Sequence, residues 1–335
     1  MSTSSSQIGR FAGPSRVIAV AGASGRVGKH VVEGLLSAGF TVIALLRQPS
    51  PDLIASFTSS APSSSKLIPA VINYTSPYAL TTLSEKFKEH RVDTVISTLF
   101  ELDDSLHQVE DVLLDASLAS GCVKRFSPSN YAMPVPNTKN IRGCEFKRRI
   151  MPKLEKADIS WTHFACGIFT NYLASGAPPK ANGDLPQAHL NPLNFIINPS
   201  AGTAHIPGTG DAPCVFTVVQ DVARGVAEAC KLKKPWQLNT GWIVGDKMSY
   251  NEAVRVLEEV TGRKFTVTHT PLSTFLSRIK PTDTALNAFY VEAMAAFGSG
   301  DCDFDDVLGG ELKSEGIEWK ATSVREFVEE WWGVR

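Results

Sequence analysis

Val17-Ile18-Ala19-Val20-Ala21, followed by Gly22-Ala23-Ser24-Gly25-Arg26-Val27-Gly28, is the stretch whose reading decides the fold. The first five residues are an unbroken apolar run of strand formers, as in a strand buried on both faces. Glycine then occupies the first, fourth and seventh places of the turn. A helical pattern carries Val27, Val31, Leu35 and Leu36 on one side and closes at Gly39; a second apolar run, Phe40 to Leu46, delivers Arg47. Strand, glycine turn, helix, strand is the dinucleotide-binding unit. Its glycines allow a sharp turn, bring backbone N–H groups against a pyrophosphate, and seat the helix close to the strand. Gly22, Ser24, Gly25, Arg26, Val27 and Gly28 are therefore read as cofactor-binding.

Arg47 narrows the cofactor. A site for NAD usually ends its second strand with Asp or Glu, which binds the ribose 2′-OH. Arg47-Gln48 stands there instead, 19 residues after Gly28, and no acid follows before Asp52. A guanidinium forks onto a 2′-phosphate that a carboxylate would repel, which predicts NADP(H). Arg26 offers a second cation, or a plane to stack on adenine.

Outward from this unit the strand and helix patterns alternate. Strands are expected at Lys66 to Asn73, Val92 to Thr98, Val123 to Phe126 and Ile159 to Phe164. Helices are expected from Ser76-Pro77 to His90, from Asp103 to Ser120 and from Arg142 to Ala157, with Pro51 to Lys66 as a mobile loop. That rhythm predicts an α/β fold, a Rossmann-type doubly wound parallel sheet over residues 16–165, after a disordered tail over 1–15. Residues 215–245, with a helix from Asp221 to Leu232 and an apolar Trp242-Ile243-Val244, are expected to rejoin it. Residues 166–214 and 246–335 would form a smaller, mainly helical substrate lobe. Its helices include one opened by the capping box Ser249-x-x-Glu252 and ended by Gly262, one over Thr284 to Phe297, and one over Ser323 to Trp332. Ligands of open α/β sheets bind at the carboxyl ends of the strands, so this lobe should close over the nicotinamide.

Composition excludes several classes. The 335 residues are 43% hydrophobic with a formal net charge of −1, and their charges are mixed. This argues for a sizeable core and against nucleic acid or an anionic membrane as partner. No apolar run approaches the roughly 18 residues of a membrane span. The six cysteines include no Cys-x-x-Cys pair and read as reduced thiols of a cytoplasmic protein. The partner class left is a small-molecule substrate, for a monomer or a homodimer. His107-x-x-Glu110 is the nearest approach to a metal pair and lacks further ligands nearby; His163 and His205 read as structural, and no metal is expected.

The typical short-chain dehydrogenase pairs Tyr-x-x-x-Lys, the lysine lowering the tyrosine pKa for proton transfer. Here Gly143 stands four residues before Lys147, and Val135 four residues after Tyr131. Spacing alone leaves two options: Lys147 works without a tyrosine, or nothing in this segment is catalytic.

Gly22 to Gly28, Leu46-Arg47, Val95-Ile96-Ser97-Thr98-Leu99, Arg125-Phe126-Ser127-Pro128-Ser129, Phe146-Lys147, and the run from Ile159 to Leu173 recur together in one order. The chain thereby resembles the NmrA-like, isoflavone reductase-like branch of atypical short-chain dehydrogenases, from residue 16 to about 172 and more loosely beyond. That group includes phenylcoumaran benzylic ether, isoflavone and pinoresinol–lariciresinol reductases of plants with many fungal relatives, and a fungal member is expected. The resemblance implies that Lys147, 12 residues before Ile159, is the proton-transfer residue. It places Ser97, Thr98, Leu99 and Phe100 against the cofactor's ribose and pyrophosphate, and Pro128, Ser129 and Asn130 near the nicotinamide ribose. Cys166 would line the nicotinamide, with Tyr131, Gly167, Phe169 and Tyr172 as substrate walls. Where the family often has an Asp-containing motif near the adenine, this chain has Asn73-Tyr74. The function so implied is NADPH-dependent reduction of a small aromatic or polycyclic, secondary-metabolite-like molecule. Two alternatives stay open: a redox-sensing regulator that binds dinucleotide without catalysis, and a redox-neutral isomerase or cyclase that keeps NADP.

Overall fold

A computed structural model describes residues 13–59, 61–100, 104–280 and 282–333. The chain opens with β1 (Val17–Ala21), α1 (Arg26–Ser37), β2 (Thr41–Leu46), α2 (Pro51–Ser59) and β3 (Lys66–Val71). It continues through α3 (Ala79–His90), β4 (Thr94–Ser97), α4 (Asp104–Ser120), β5 (Arg125–Ser127), α5 (Glu145–Arg149), α6 (Met151–Lys156) and β6 (Ser160–Trp161). These six strands form one parallel sheet in the order β3-β2-β1-β4-β5-β6. Strand order reverses between β1 and β4, the switch point at which α/β sheets open a crevice.

The period of two along β1 explains both cores. Ile18 and Val20 face the cluster holding Val31, Leu35 and Val226, while Ala19 and Ala21 face the one holding Leu83, Phe87 and Leu113. With helices on both faces, β1 has no polar side, which is why it reads as an unbroken apolar run.

Beyond β6 come β7 (Ile168–Phe169), β8 (Ile197–Asn198), β9 (Thr203–Pro207), β10 (Pro213–Thr217), α7 (Val219–Lys231) and β11 (Asp246–Ser249). Then follow α8 (Tyr250–Thr261), β12 (Thr266–Thr270), α9 (Leu272–Leu276), α10 (Ala285–Ser299), α11 (Val307–Ser314) and α12 (Val324–Trp332). Two three-stranded sheets, β11-β10-β7 and β12-β9-β8, accompany the expected helices. Val222, Val226 and Ala229 of α7 join the α1 side of the core. Arg125, 1% exposed, ties β5 to the segment that follows α7. Its guanidinium donates to the carbonyls of Cys230 (2.8 Å) and Lys234 (3.0 Å), to that of Leu232, and to Ser15 Oγ (3.1 Å), with Trp236 against its face. A buried guanidinium thus satisfies carbonyls that the end of a helix leaves open.

Several expectations need correction. Ser15 is buried and its N–H donates to the Cys230 carbonyl, so it is no part of a tail; residues 1–12 lie outside the described residues. Pro51 to Ser59 is helix α2, not loop: Pro51 presets the first turn, Asp52 suits its positive end, and Phe57 is buried. The helix expected from Ser76 begins at Ala79, because the Ser76 side chain and carbonyl are spent on a turn to the N–H groups of Tyr78 and Ala79. Arg142 to Ala157 is not one helix. A short 3₁₀ turn, Arg142–Cys144, leads into α5, and α6 starts anew with Pro152 in its first turn, where a missing N–H costs no ladder bond. Trp242 makes only an isolated bridge to Ala165 and does not extend the main sheet.

The expected capping box at Ser249 forms, and a second one opens α12 at Ser323. Ser249 and Ser323 each accept the N–H three residues on, and Glu252 and Glu326 reach back to the cap N–H at 2.8 Å. Ser323→Ala is expected to cost about 1 kcal/mol, lowering the melting temperature of a chain this long by roughly 1–2 °C. An unchanged melting curve would contradict the contribution assigned to the box.

Candidate active site

The glycine turn is as tight as its residues require. Gly25 N–H donates to the Gly22 carbonyl at 2.8 Å, and Gly22 holds φ at 77°, where glycine alone is unstrained. A Cβ on Gly28 would lie 2.0 Å from that same carbonyl oxygen. Thr98, at the end of β4, closes the turn from across the switch point, its N–H and Oγ1 donating to the Ala21 carbonyl at 2.9 and 2.8 Å. α1 then starts at Arg26 with no side-chain cap and no acid in its first turn. Its first N–H groups face the crevice with the positive end of the helix dipole behind them. Ser24 and Arg26 are exposed, Val27 is half-buried, and Arg47 is exposed at the end of β2, where its charge reaches Tyr74.

A second cluster lies along the same edge, at the ends of β4, β5 and β6. Ser97 is fully buried, Leu99 half-buried, and Phe100 exposed. Pro128, Ser129 and Asn130 are buried directly after β5. Lys147, 8% exposed, points from α5 into this cluster, its Nζ donating to the Asn130 carbonyl at 2.8 Å and to Asn130 Oδ1 at 3.3 Å. Burial lowers the Lys147 pKa, against the pull of Cys144, Cys166 and Glu110. Cys166 is buried near it, and burial pushes its thiol far above the ordinary range.

The positions read as substrate walls separate. Phe169 and Tyr172 are half-buried with ring centroids 6.1 Å apart. Burial, then Tyr290, pushes the Tyr172 phenol up to about 12 against the opposing pull of Arg26, which puts this wall within reach of the glycine turn. Gly167 is where the chain passes β10: a Cβ there would lie 2.0 Å from the Val215 carbonyl oxygen. Tyr131 belongs to the core, buried beneath the site with its ring 6.2 Å from Phe164. His163 is buried and accepts from Val135 N–H and Trp242 Nε1, both at 3.3 Å, while His205 is exposed and bonded to Thr268. Asn73 caps its own turn by accepting from the Thr75 N–H and hydroxyl.

Three features were not foreseen. α10 packs over the Lys147 segment through Phe289 against Gly143 and through Glu292, which pairs with Arg142. Phe289 contacts Phe100 and Tyr290, adding aromatic surface beside the site. Glu110, taken as half of an incomplete metal pair, is instead buried behind Ser129. Away from this edge, His30, Glu33 and His189 converge, with His189 Nε2 and Glu33 Oε1 at 2.7 Å, although no ligand spacing was visible among the histidines. His30 and Glu33 share a helix face, but His189 comes from a distant loop that sequence spacing cannot place.

With this geometry in hand, likeness to known proteins becomes informative. The profile of the NmrA-like family matches residues 14–328. Oxidoreductase BOA1 of Botryotinia fuckeliana (strain B05.10) is 29% identical over 252 residues, 74% of this chain and 77% of that protein. Phenylcoumaran benzylic ether reductase TP7 of Nicotiana tabacum is 27% identical over 301 residues, 85% of this chain and 87% of its own. Among solved structures, AtPrR2 with NADP+ and (+)pinoresinol superposes with a TM-score of 0.70 at 19% identity, covering 96% of this chain and 100% of that one. A crystal structure of isoflavone reductase gives 0.70 at 20% identity, covering 94% and 99%. At such identities the structural likeness is one of fold. The family match spans nearly the whole sequence, and the chain belongs to the NmrA-like family.

Proposed function

We propose that this protein is an NADPH-dependent reductase of a small aromatic or polycyclic molecule, with Lys147 as the proton relay. The observation that carries the reading is the meeting of two features on one sheet edge. One is the uncapped N-terminus of α1 behind its glycine turn; the other is a buried lysine whose Nζ is held by Asn130. The names of the relatives agree with it: BOA1 is an oxidoreductase, and TP7 reduces a benzylic ether.

The turn fits a dinucleotide. Gly28 has no room for a Cβ, so the helix N–H groups stand unshielded toward a pyrophosphate, and no carboxylate in the first turn of α1 opposes its charge. Arg47 would hold the 2′-phosphate, and Ser97, Thr98, Ser129 and Asn130 the ribose and nicotinamide side. When bound, NADPH supplies a hydride from its nicotinamide C4. Lys147 carries a proton at Nζ, and its burial makes that proton easier to release to the oxygen or carbon on which negative charge develops. The aromatic rings of Phe169, Tyr172 and Phe289 offer flat apolar surface to the substrate. A cytosolic setting agrees with six free thiols and, among the described residues, with no helix long and apolar enough to cross a membrane.

The reading is tested by NADPH consumption with product analysis over aromatic ketones, enones, imines and benzylic ethers. Reduced product matching NADPH loss supports it, and product without NADPH loss excludes it. For cofactor choice, Arg47→Ala is expected to weaken NADPH binding by roughly 10–100-fold, the worth of a charge-assisted hydrogen bond, and to leave NADH binding nearly unchanged. Equal losses for both nucleotides would remove Arg47 from the 2′-phosphate.

A further inference from the structure

Glu110 has no task in the reduction described above, yet it is built into the same edge. It comes from α4 and is 3% exposed. Its Oε1 accepts the Ser129 N–H at 3.2 Å, directly after β5, and the Ser97 hydroxyl at the end of β4 also favours its charged form. Glu110 and Lys147 act on each other electrostatically: the ammonium favours the carboxylate, and the carboxylate favours the ammonium. Both are shielded from water, where such an attraction is least screened.

We propose that Glu110 is a positioning residue of this site, a carboxylate that sets the charge carried by Lys147 and holds the Ser129 backbone from behind. The proposal rests on Lys147 being the proton relay. The other ionisable groups around the pair are Asp111 on α4, Tyr74 after β3, Tyr131 after β5, Cys144 before α5, and His163 and Cys166 after β6. Asp111 is bonded to Lys153 at 2.9 Å. Burial pushes the two phenols and the two thiols upward and His163 down to about 3, so none of these five changes charge near neutrality. Glu110 does. Burial raises it to about 7, against the pull of the Ser97 hydroxyl, the Ser129 amide and Lys147. As pH rises through that value Glu110 ionises and helps Lys147 keep the proton that burial would otherwise strip from it. Below that value Glu110 is neutral and gives no such help.

Glu110→Gln separates charge from shape, because the amide oxygen can still accept the Ser129 N–H. Competitive trace acetylation with acetic anhydride, read at the Lys147 peptide as a function of pH, reports the protonation of that amine without any substrate. In Glu110→Gln the labelling midpoint of Lys147 should fall, because the carboxylate is among the groups that help it keep its proton, with surface lysines and the melting temperature unchanged. An unmoved Lys147 midpoint in a folded variant overturns the proposal. The second arm is the pH profile of kcat/KM on a substrate that the wild type reduces. There the alkaline limb should move down by the same amount, which a merely structural Glu110 would not cause. A shifted midpoint with an unshifted profile would overturn the positioning role by showing that Lys147 is not the relay, and would leave the electrostatic pairing standing.

Discussion

Lys147→Ala is expected to lower kcat by about 10³-fold, within the usual range for a lost general acid or base. NADPH binding should stay within a few-fold of wild type. Lys147 is buried, its Nζ is held 2.8 Å from the Asn130 carbonyl, and burial weakens its grip on a proton. Lys147→Arg should fail almost as completely. A guanidinium keeps the charge and can still bond the Asn130 carbonyl, but it does not release a proton in a protein. Lys147→Met fills the same space without charge, so wild-type melting with lost turnover would assign the defect to chemistry. Turnover within tenfold of wild type in all three variants would remove Lys147 from the reaction.

The second large effect is expected at Gly28. In Gly28→Ala the new Cβ would sit 2.0 Å from the Gly22 carbonyl oxygen and 2.7 Å from Thr98 Oγ1. The first clash is with backbone, and no rotamer relieves it. The Gly22 carbonyl also accepts the Gly25 N–H, so moving it opens the turn that presents the α1 N-terminus. NADPH affinity should fall by at least about 100-fold, the loss of roughly two charge-assisted hydrogen bonds, and overpacking should cost roughly 1–3 kcal/mol of stability. Gly310→Ala is the control. It lies exposed in α11 with nothing within 4 Å of a new Cβ, so NADPH binding should be untouched there and stability slightly improved. Titration of both variants with NADPH by calorimetry decides the matter; tight binding by Gly28→Ala would show that the turn is not the phosphate site.

What the sequence makes legible here is what local patterns control. β1, the glycine turn, α1 and β2 follow from apolar periodicity and glycine spacing, and α8 begins at its capping box because a cap is made within four residues. Features formed by distant segments stay hidden. β12 pairs in parallel with β9, Thr266 beside Thr203, across a connection that no short motif announces. Glu110 reads only as half of an incomplete metal pair with His107, since its place behind Ser129 depends on elements that arrive later in the chain. Tyr131 looks like a pocket residue by position, but it is buried with its ring stacked 6.2 Å from Phe164, a residue just after β6. The break between α5 and α6 is marked locally by Pro152, which stands in the first turn of α6. At the candidate site, then, residue types and strand ends were readable. The wall contributed by α10 was not, because Phe289 lies far along the chain from the Gly143 it covers.

The central claim is that hydride leaves the nicotinamide and reaches an organic substrate beside Lys147. The most direct measurement is a single turnover of the wild-type protein with NADPH deuterated at nicotinamide C4, run with each stereoisomer, with mass analysis of the product. The account predicts one deuterium in the product from one stereoisomer and none from the other, with one NADP+ formed per product. Product that carries no deuterium from either, with NADPH intact, would contradict it.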